Sequence, residues 1–195
     1  MARDQAAPSR GPRADSLRNR ARLVDAARTA FLAGGGRASL EAIARDAGVG
    51  IGTLYRHFPS RESLIAAVYE EELAAVTATE LIDRLLAEHD PAAVALRAWM
   101  DRYADFVAAK HGMVEAIRVG VASGDIITGR TRKQVTGTIG RLLAAGVADG
   151  SLRDDVQADV VTDALVGVLW SADRGDRAAA APLLDLVLDG LRPRS

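Results

Sequence analysis

The sequence contains no cysteine and few aromatic residues. Without cysteine, disulfide bonds, thiolate metal sites and cysteine nucleophiles are all excluded. Aromatic residues, which favour strands, make up only 4% of the chain, whereas the helix-favouring residues Ala, Leu and Arg are abundant. The composition therefore favours a helical fold.

Long apolar runs are also missing. The longest stretch without a charged residue has roughly nine residues, whereas a membrane-spanning helix needs about 20. Residues 1–13 contain no apolar segment of the kind found in secretory signals. Apolar residues still make up 49% of the sequence, which is enough to fill a core. We therefore expect a cytoplasmic protein that makes no membrane contact.

The net charge of −1 hides an uneven distribution along the chain. Residues 1–62 carry eleven basic against six acidic side chains, a balance of +5. Residues 63–195 carry fourteen basic against twenty acidic side chains, a balance of −6. A basic N-terminal part on an acidic body indicates that only the N-terminal part meets a polyanion.

The first 60 residues are organised as an arm and three helices. Residues 1–13, which contain three Arg and two Pro, are predicted to form a disordered basic arm. The first helix is expected to start near Asp15 or Ser16, either of which can cap it. Apolar residues recur in this helix at spacings of three and four, which places them on one helical face, and they are Leu17, Ala21, Val24, Ala27 and Phe31.

Two short helices follow, separated by a tight turn. Ser39 is predicted to cap the first of them, whose buried face comprises Leu40, Ile43, Ala44 and Ala47. Gly48 suits the left-handed conformation that stops a helix, and Val49-Gly50 completes the turn. The next helix is expected from about Ile51 to Phe58, because Pro59 cannot extend it. This arrangement is a helix-turn-helix, in which the first helix braces a second that can enter a DNA major groove.

The rest of the chain is predicted to be helical throughout. A fourth helix carries Leu64, Val68, Leu73 and Val76, and a fifth has Pro91 in its first turn. Further helical segments are expected at residues 113–121, 125–148, 156–172 and 177–191. The fold class is therefore all-α with about nine helices. We expect three parts: the arm at 1–13, a helix-turn-helix DNA-binding head at 14–60, and a larger helical body at 61–195.

The stretch from Ser39 to Arg61 is more specific than a general helix-turn-helix. It contains Gly-Thr-Leu-Tyr-Arg-His-Phe at residues 52–58 and closely resembles the DNA-binding signature of the TetR family. The resemblance implies a transcription regulator that binds double-stranded operator DNA. We expect no cofactor, and no metal site, because the sequence has no cysteine and its histidines make no metal-spaced cluster with acidic residues. The DNA contacts that it implies are Ser39, Gly50, Ile51, Gly52, Thr53, Tyr55, Arg56, His57 and Arg61.

The chemistry of these residues divides them into two roles. Gly52 allows the backbone to approach a phosphate, and the hydroxyls of Thr53 and Tyr55 suit phosphate oxygens. His57 and Arg61 can also donate to phosphates, although the family usually has lysine where this chain has Arg61. Ile51 and Arg56 resemble the family's base readers, since isoleucine can meet a thymine methyl and arginine a guanine edge.

Each of these assignments has an alternative. Tyr55 can be a half-buried core residue and His57 a plain surface residue, while Arg56 can touch only the DNA backbone. Glu41 is either a helix-surface charge or a base contact. Arg3, Arg10 and Arg13 either follow the minor groove or belong to a solubilising tail.

From Asp90 onward the chain resembles the SbtR-like class of TetR C-terminal domains, notably at residues 96–99 and 150–155. This resemblance implies a homodimer formed by the last two helices and a body that binds an unidentified small-molecule effector. The expected interface residues are Val160, Ala164, Gly167, Val168, Leu183, Leu186 and Val187. The expected pocket residues, each of which can instead be plain core, are Trp99, Tyr103, Phe106, Met113, Ile117, Leu143 and Trp170.

The function predicted from the sequence is a ligand-responsive repressor that a small molecule releases from its operator. A constitutive DNA-binding protein without a ligand is the first alternative, but a body this large exceeds what DNA binding requires. An enzyme is the second alternative. The sequence has three His, no Cys, no glycine-rich phosphate loop and no paired-carboxylate motif, so we do not expect one.

Overall fold

A computed structural model describes residues 12–34, 38–111, 128–171 and 177–194, and within them it contains helices and no strands. The all-α prediction is confirmed. The helices are α1 (Pro12–Gly34), α2 (Leu40–Asp46), α3 (Ile51–His57), α4 (Arg61–Thr77), α5 (Thr79–Glu88), α6 (Ala92–His111), α7 (Thr128–Ala148), α8 (Ala158–Ser171) and α9 (Arg177–Gly190).

The first three helices and the start of α4 share one hydrophobic core, the head core. Val24, Ala27 and Phe31 of α1 are buried in it, as their spacing predicts. Leu54 of α3 and Phe58 behind it point inward to the same core. The other buried members are Leu23, Ile43, Ala44, Ala47, Leu64, Ile65, Ala67 and Val68. This core holds α2 and α3 at a fixed angle on α1.

The N-terminal end of α1 differs from the prediction. The helix begins at Pro12 rather than at Asp15 or Ser16, because proline is tolerated in a first helical turn. Leu17 is 70% exposed and Ala21 is exposed, so the head core covers only the later part of the apolar face predicted for this helix. Helical spacing identifies which residues share a face, but α1 extends beyond the head core, and nothing in the described structure covers its first turns. Residues 1–11, most of the predicted arm, lie outside the described residues.

The second core, the body core, is formed by the later part of α4 together with α5 to α9. Trp99, Met100 and Leu96 of α6 are fully buried at its centre. The predicted fourth helix ends at Thr77, and a separate helix, α5, starts after the extended residue Ala78. Its Leu81, Ile82 and Leu85 are buried against the body core. The predicted segment 113–121 lies outside the described residues.

A tight turn after α7 closes one end of the body. Gly150 has a φ of +77°, which favours glycine, and it lies two residues beyond the end of that helix at Ala148, where the sequence predicts the helix to end. Leu152 is buried in this turn, and its backbone N–H donates to the Gly146 carbonyl at 2.9 Å. Asp149 accepts from the backbone N–H of Ala92 at 2.6 Å and so holds the start of α6.

The helix α4 belongs to both cores. Leu64, Ile65, Ala67 and Val68 lie in the head core, whereas Ala66, Tyr69, Leu73 and Val76 lie in the body core. One continuous helix therefore joins the two parts. The boundary that we predict between residues 60 and 61 stays a prediction.

Candidate nucleic-acid interface

The helix-turn-helix is built by backbone and capping contacts that agree with the residue types. Ser39 caps α2 by accepting from the Ala42 N–H at 3.3 Å. Gly48 has a φ of +65°, the left-handed conformation predicted for it. The Val49 N–H then donates to the Ala44 carbonyl at 2.9 Å, which folds the turn back on α2. Gly50 takes the extended conformation that starts α3.

One side of α3 is buried, and the other is open. Leu54 is fully buried in the head core, which fixes how the helix is rotated about its axis. This rotation leaves Ile51 38% exposed and Tyr55 47% exposed, and Arg56 is exposed beside them. The partly exposed Thr53 and His57 flank this face. The side chains to which we assign base and phosphate contacts on α3 are thus presented together.

Gly50 and Gly52 have no internal reason to be glycine. Neither residue has a positive φ, and a Cβ added at either position would meet no atom within 4 Å. By contrast, Gly48 is constrained by its own backbone conformation. The open space at the start of α3 therefore lies on the outside of the protein.

Ser39 and Arg61 lie near this face, and both side chains form hydrogen bonds with other residues of the head. The Ser39 hydroxyl donates to Glu41 Oε2 at 2.6 Å, and this bond, followed by the backbone N–H of Glu41, lowers the pKa of Glu41. The Arg61 side chain donates to the Ala38 carbonyl, and its guanidinium lies 5.9 Å from the centre of the Phe31 ring.

Two arginines of α1 that the sequence analysis did not single out pack against the helix-turn-helix. The Arg20 guanidinium lies 5.3 Å from the centre of the Phe58 ring. Arg22 donates to Asn19 at 2.6 Å and lies next to Gly48. Arg20 precedes Val24 by four residues, so helical spacing places it on the side of α1 that carries the buried face, whereas the spacing of Arg22 gives no such signal. Arg13 is exposed, whereas Arg3 and Arg10 lie outside the described residues.

The predicted pocket residues of α6 form a contiguous aromatic series inside the body core. The Trp99 and Tyr103 rings are 5.2 Å apart and nearly parallel, and Phe106 lies 5.8 Å from Tyr103. Trp99 donates its indole N–H to the Val76 carbonyl of α4 at 2.9 Å. Tyr69 of α4 contacts Phe106 at 5.7 Å and donates to the Thr131 hydroxyl of α7 at 3.1 Å. The series therefore connects α4 with α6 and α7.

Burial of this series changes the acidity of its phenols. Desolvation, helped by the neighbouring Tyr69, raises the pKa of Tyr103 to about 12. Leu143 of α7 is also buried in the body core. Met113, Ile117 and the side chain of Trp170 lie outside the described residues.

An open groove of about 500 Å³ lies elsewhere, at the end of the body. The turn that follows α7 and the chain after α9 form it, with Leu152, Arg153, Asp155 and Arg194 among the residues that line it. Arg153 is paired with Asp155 on one wall. The predicted pocket residues whose side chains are described do not line this groove, and they are Trp99, Tyr103, Phe106 and Leu143.

The outer faces of α8 and α9 carry apolar side chains with no partner in the described part of the chain. Val160 is 58% exposed and Leu186 is 70% exposed. Ala164 and Gly167 are exposed beside Val160. Val168, Leu183 and Val187 are partly buried, and of these Val168 and Val187 pack against the body core.

The described residues contain neither a cluster of metal ligands nor a membrane-spanning helix. No group of three or more His, Asp or Glu side chains there is arranged to hold a metal ion. None of the described helices combines the length and apolar character needed to cross a membrane.

Comparison with known proteins identifies the chain. Residues 23–68 match the family of bacterial regulatory proteins named tetR, and residues 90–193 match the C-terminal domain of SbtR-like transcriptional regulators. No curated protein matches the chain by sequence.

Solved structures give the same answer. A TetR transcriptional regulator from Streptomyces coelicolor is 45% identical, covers 90% of this chain and 99% of its own, and has a TM-score of 0.76. A TetR regulatory protein from Mycobacterium vanbaalenii is 32% identical, covers 94% of this chain and 100% of its own, and has a TM-score of 0.68. The repressor SmeT of a Stenotrophomonas maltophilia multidrug efflux pump is 22% identical, covers 93% of this chain and 94% of its own, and shares the fold with a TM-score of 0.61. The chain therefore belongs to the TetR family of transcriptional regulators.

Proposed function

We propose that this regulator is a cytoplasmic homodimer that represses genes by binding a specific operator and leaves it when a small molecule binds the body. The observation that carries the DNA-binding part is the exposed face of α3. Burial of Leu54 turns Ile51, Tyr55 and Arg56 outward on a helix that α2 braces, which is the arrangement needed to enter a major groove.

The DNA contacts are proposed to divide between phosphates and bases. Thr53, Tyr55 and His57 suit phosphate oxygens, with Ser39 and Arg61 at the edges of the surface. The empty space around Gly50 and Gly52 supports a close approach of a phosphate to the backbone, because nothing within the protein requires glycine there. Ile51 and Arg56 are the proposed base readers.

The homodimer is proposed to form through α8 and α9. The apolar residues exposed there include Val160 and Leu186, and exposed apolar patches of this kind support an interface. A two-fold axis relates the two recognition helices, so the operator should contain two half-sites about one helical turn apart or a multiple of it.

Effector response is proposed to act through α4. The buried series of Trp99, Tyr103 and Phe106 lies against this helix, and α4 also contributes to the head core. A ligand that prefers a different arrangement of these residues shifts the position of the head and lowers operator affinity. The similar fold of an efflux-pump repressor is consistent with repression as the outcome.

The other candidate functions remain distinguishable. A constitutive DNA-binding protein would bind its operator equally well with every small molecule tested. An enzyme would turn over a substrate, which requires convergent catalytic groups.

The proposed function is tested by selecting bound sequences from a random duplex pool at near-physiological salt. A two-fold symmetric motif is the expected result, and its position beside genes points to the class of effector. Binding without sequence preference, or no binding by the purified protein, would contradict the proposal.

A further inference from the structure

A cluster of charged side chains joins the head to the part of α4 that belongs to the body. Arg28 of α1 lies at its centre, between the head-core residues Ala27 and Phe31. Its Nη2 donates to Glu71 of α4 at 3.1 Å, and its Nη1 donates to Asp25 at 2.9 Å. Its Nε pairs with Glu72 by charge alone, since that contact lacks hydrogen-bond geometry. We call this cluster the α1–α4 clamp.

The clamp lies at the point along α4 where the head core ends and the body core continues. Val68 is the last residue of α4 in the head core, and Tyr69, Leu73 and Val76 are buried in the body core. Glu71 and Glu72 therefore lie one turn beyond the last contact of the head core. Through the clamp, α1 contacts α4 beyond the junction between the two cores as well as within the head core.

The carboxylates of the clamp also pair with arginines of α1 and so neutralise part of the basic charge of the head. Arg20 lies 3.9 Å from Glu71, so two cations of α1 face two carboxylates of α4. The side chains of Arg28, Glu71 and Glu72 are each between 32% and 40% exposed. Partly exposed ion pairs contribute little to stability. A gain in stability therefore does not explain why Arg28 contacts three carboxylates.

We propose that the α1–α4 clamp fixes the orientation of the head relative to the body and thereby sets the half-site spacing that the dimer accepts. The inference rests on the proposed DNA-binding function. Arg28, Glu71 and Glu72 act as positioning residues and do not touch DNA. A rigid junction holds two recognition helices at one separation, whereas a flexible junction lets them adapt to several.

The test compares the wild type with a Glu71→Gln/Glu72→Gln variant on two-half-site duplexes. Insertion of one base pair moves one half-site by about 3.4 Å and rotates it by about 35°. The wild type should lose about tenfold or more in affinity on this insertion, and the variant less than about threefold. Because both duplexes meet the same protein, the ratio cancels the effect of the two lost negative charges. Arg28→Gln should behave as the double variant does.

The matched control is Glu70→Gln/Glu80→Gln. It removes two exposed carboxylates from α4 and α5 at positions outside the clamp. This control should keep the spacing preference of the wild type. An unchanged spacing preference in the clamp variants, or an equal loss of preference in the control, would overturn the proposal.

A second measurement does not depend on DNA. The chain has no cysteine, so Arg45→Cys in the head and Glu88→Cys in the body create the only two sites for spin labels. Both positions are exposed. In protein diluted with unlabelled chain, the distance distribution between the labels should broaden in the clamp variants and stay narrow in the control.

The two measurements separate the failure of the clamp from the failure of the proposed function. If the wild type binds no two-half-site DNA, the proposed function fails. The width of the distance distribution alone then tests whether the clamp fixes the orientation of the head. A distribution of unchanged width overturns the clamp in either case. A broadened distribution with an unchanged spacing preference also overturns it, because the flexibility would then have no effect on operator choice.

Discussion

Two neighbouring side chains of α3, Tyr55 and Arg56, allow the two kinds of DNA contact to be separated. Both are exposed on the face that Leu54 turns outward. Arg56→Ala should relax the preference at one base position, at a cost of about 1–3 kcal/mol for the preferred base. Tyr55→Phe removes one hydroxyl and should weaken binding by about 1 kcal/mol on every sequence. Binding to a panel of single-base operator variants at fixed salt measures both, and equal, uniform weakening by the two would contradict the division of roles.

The glycine at position 52 provides a test of close backbone approach. A Cβ at Gly52 would meet nothing within the protein, so Gly52→Ala should leave stability unchanged or raise it by up to about 1 kcal/mol. The same Cβ would occupy the space of an approaching phosphate, and operator affinity should fall about tenfold, or ~1.4 kcal/mol.

Gly137 of α7 provides the matched control for this prediction. It is exposed, and a Cβ there also meets no atom within 4 Å. Gly137→Ala should affect stability in the same direction and leave operator binding as it is. Thermal unfolding and DNA titration of the two variants give both quantities, and wild-type affinity in Gly52→Ala would show that no phosphate approaches this glycine.

At the scale of elements, the start of α6 depends on a capping contact from a distant turn. The Ser151 side chain, followed by the backbone N–H groups of Ala92 and Ser151, lowers the pKa of Asp149. The folded state therefore binds this proton less readily than the unfolded chain does. The contribution of Asp149 to stability is present above its unfolded pKa, near pH 4, and is lost as the pH falls through the lower folded pKa.

Asp149→Asn should consequently lower the thermal midpoint at neutral pH, because an amide is a weaker acceptor for these N–H groups than a carboxylate. The difference between variant and wild type should shrink as the pH falls below about 4, because the unfolded chain then takes up the proton, and it should be lost once the pH falls through the lower folded pKa of Asp149. Thermal unfolding followed by circular dichroism across this range measures the effect. A difference that does not depend on pH would show that the charge of Asp149 is not what holds α6.

Some features of the helices could be predicted from the sequence, and others could not. The buried faces of α2 and α3 and the left-handed Gly48 follow from local spacing and backbone preference, so they agree with the structure. Exposure of Leu17 was not predictable, because it depends on where the neighbouring helices stop. The break at Ala78 was missed since neither proline nor glycine marks it. The α1–α4 clamp could not be predicted, because its residues on α1 are 43 positions or more from its residues on α4.

At the scale of the whole molecule, the proposed regulation requires two copies of the head on one operator. The only large apolar side chains that we assign to the interface and that are more than half exposed are Val160 of α8 and Leu186 of α9. Their positions came from a resemblance to the family, since periodicity alone does not separate a face that packs within one chain from a face that packs on a partner.

Leu186→Glu tests this interface directly. Leu186 is 70% exposed in the single chain, so the charge should leave the folded subunit intact. In a dimer the same side chain would be buried without a partner charge, which costs far more than an exposed substitution. Light scattering should therefore find a monomer, and binding to a two-half-site duplex should fall to the affinity for one half-site. Val94→Glu, at an exposed apolar position of α6, should remain dimeric. If Leu186→Glu also remains dimeric with full operator affinity, the subunits must associate through another surface, because an unpaired carboxylate at the centre of an apolar contact would not be tolerated.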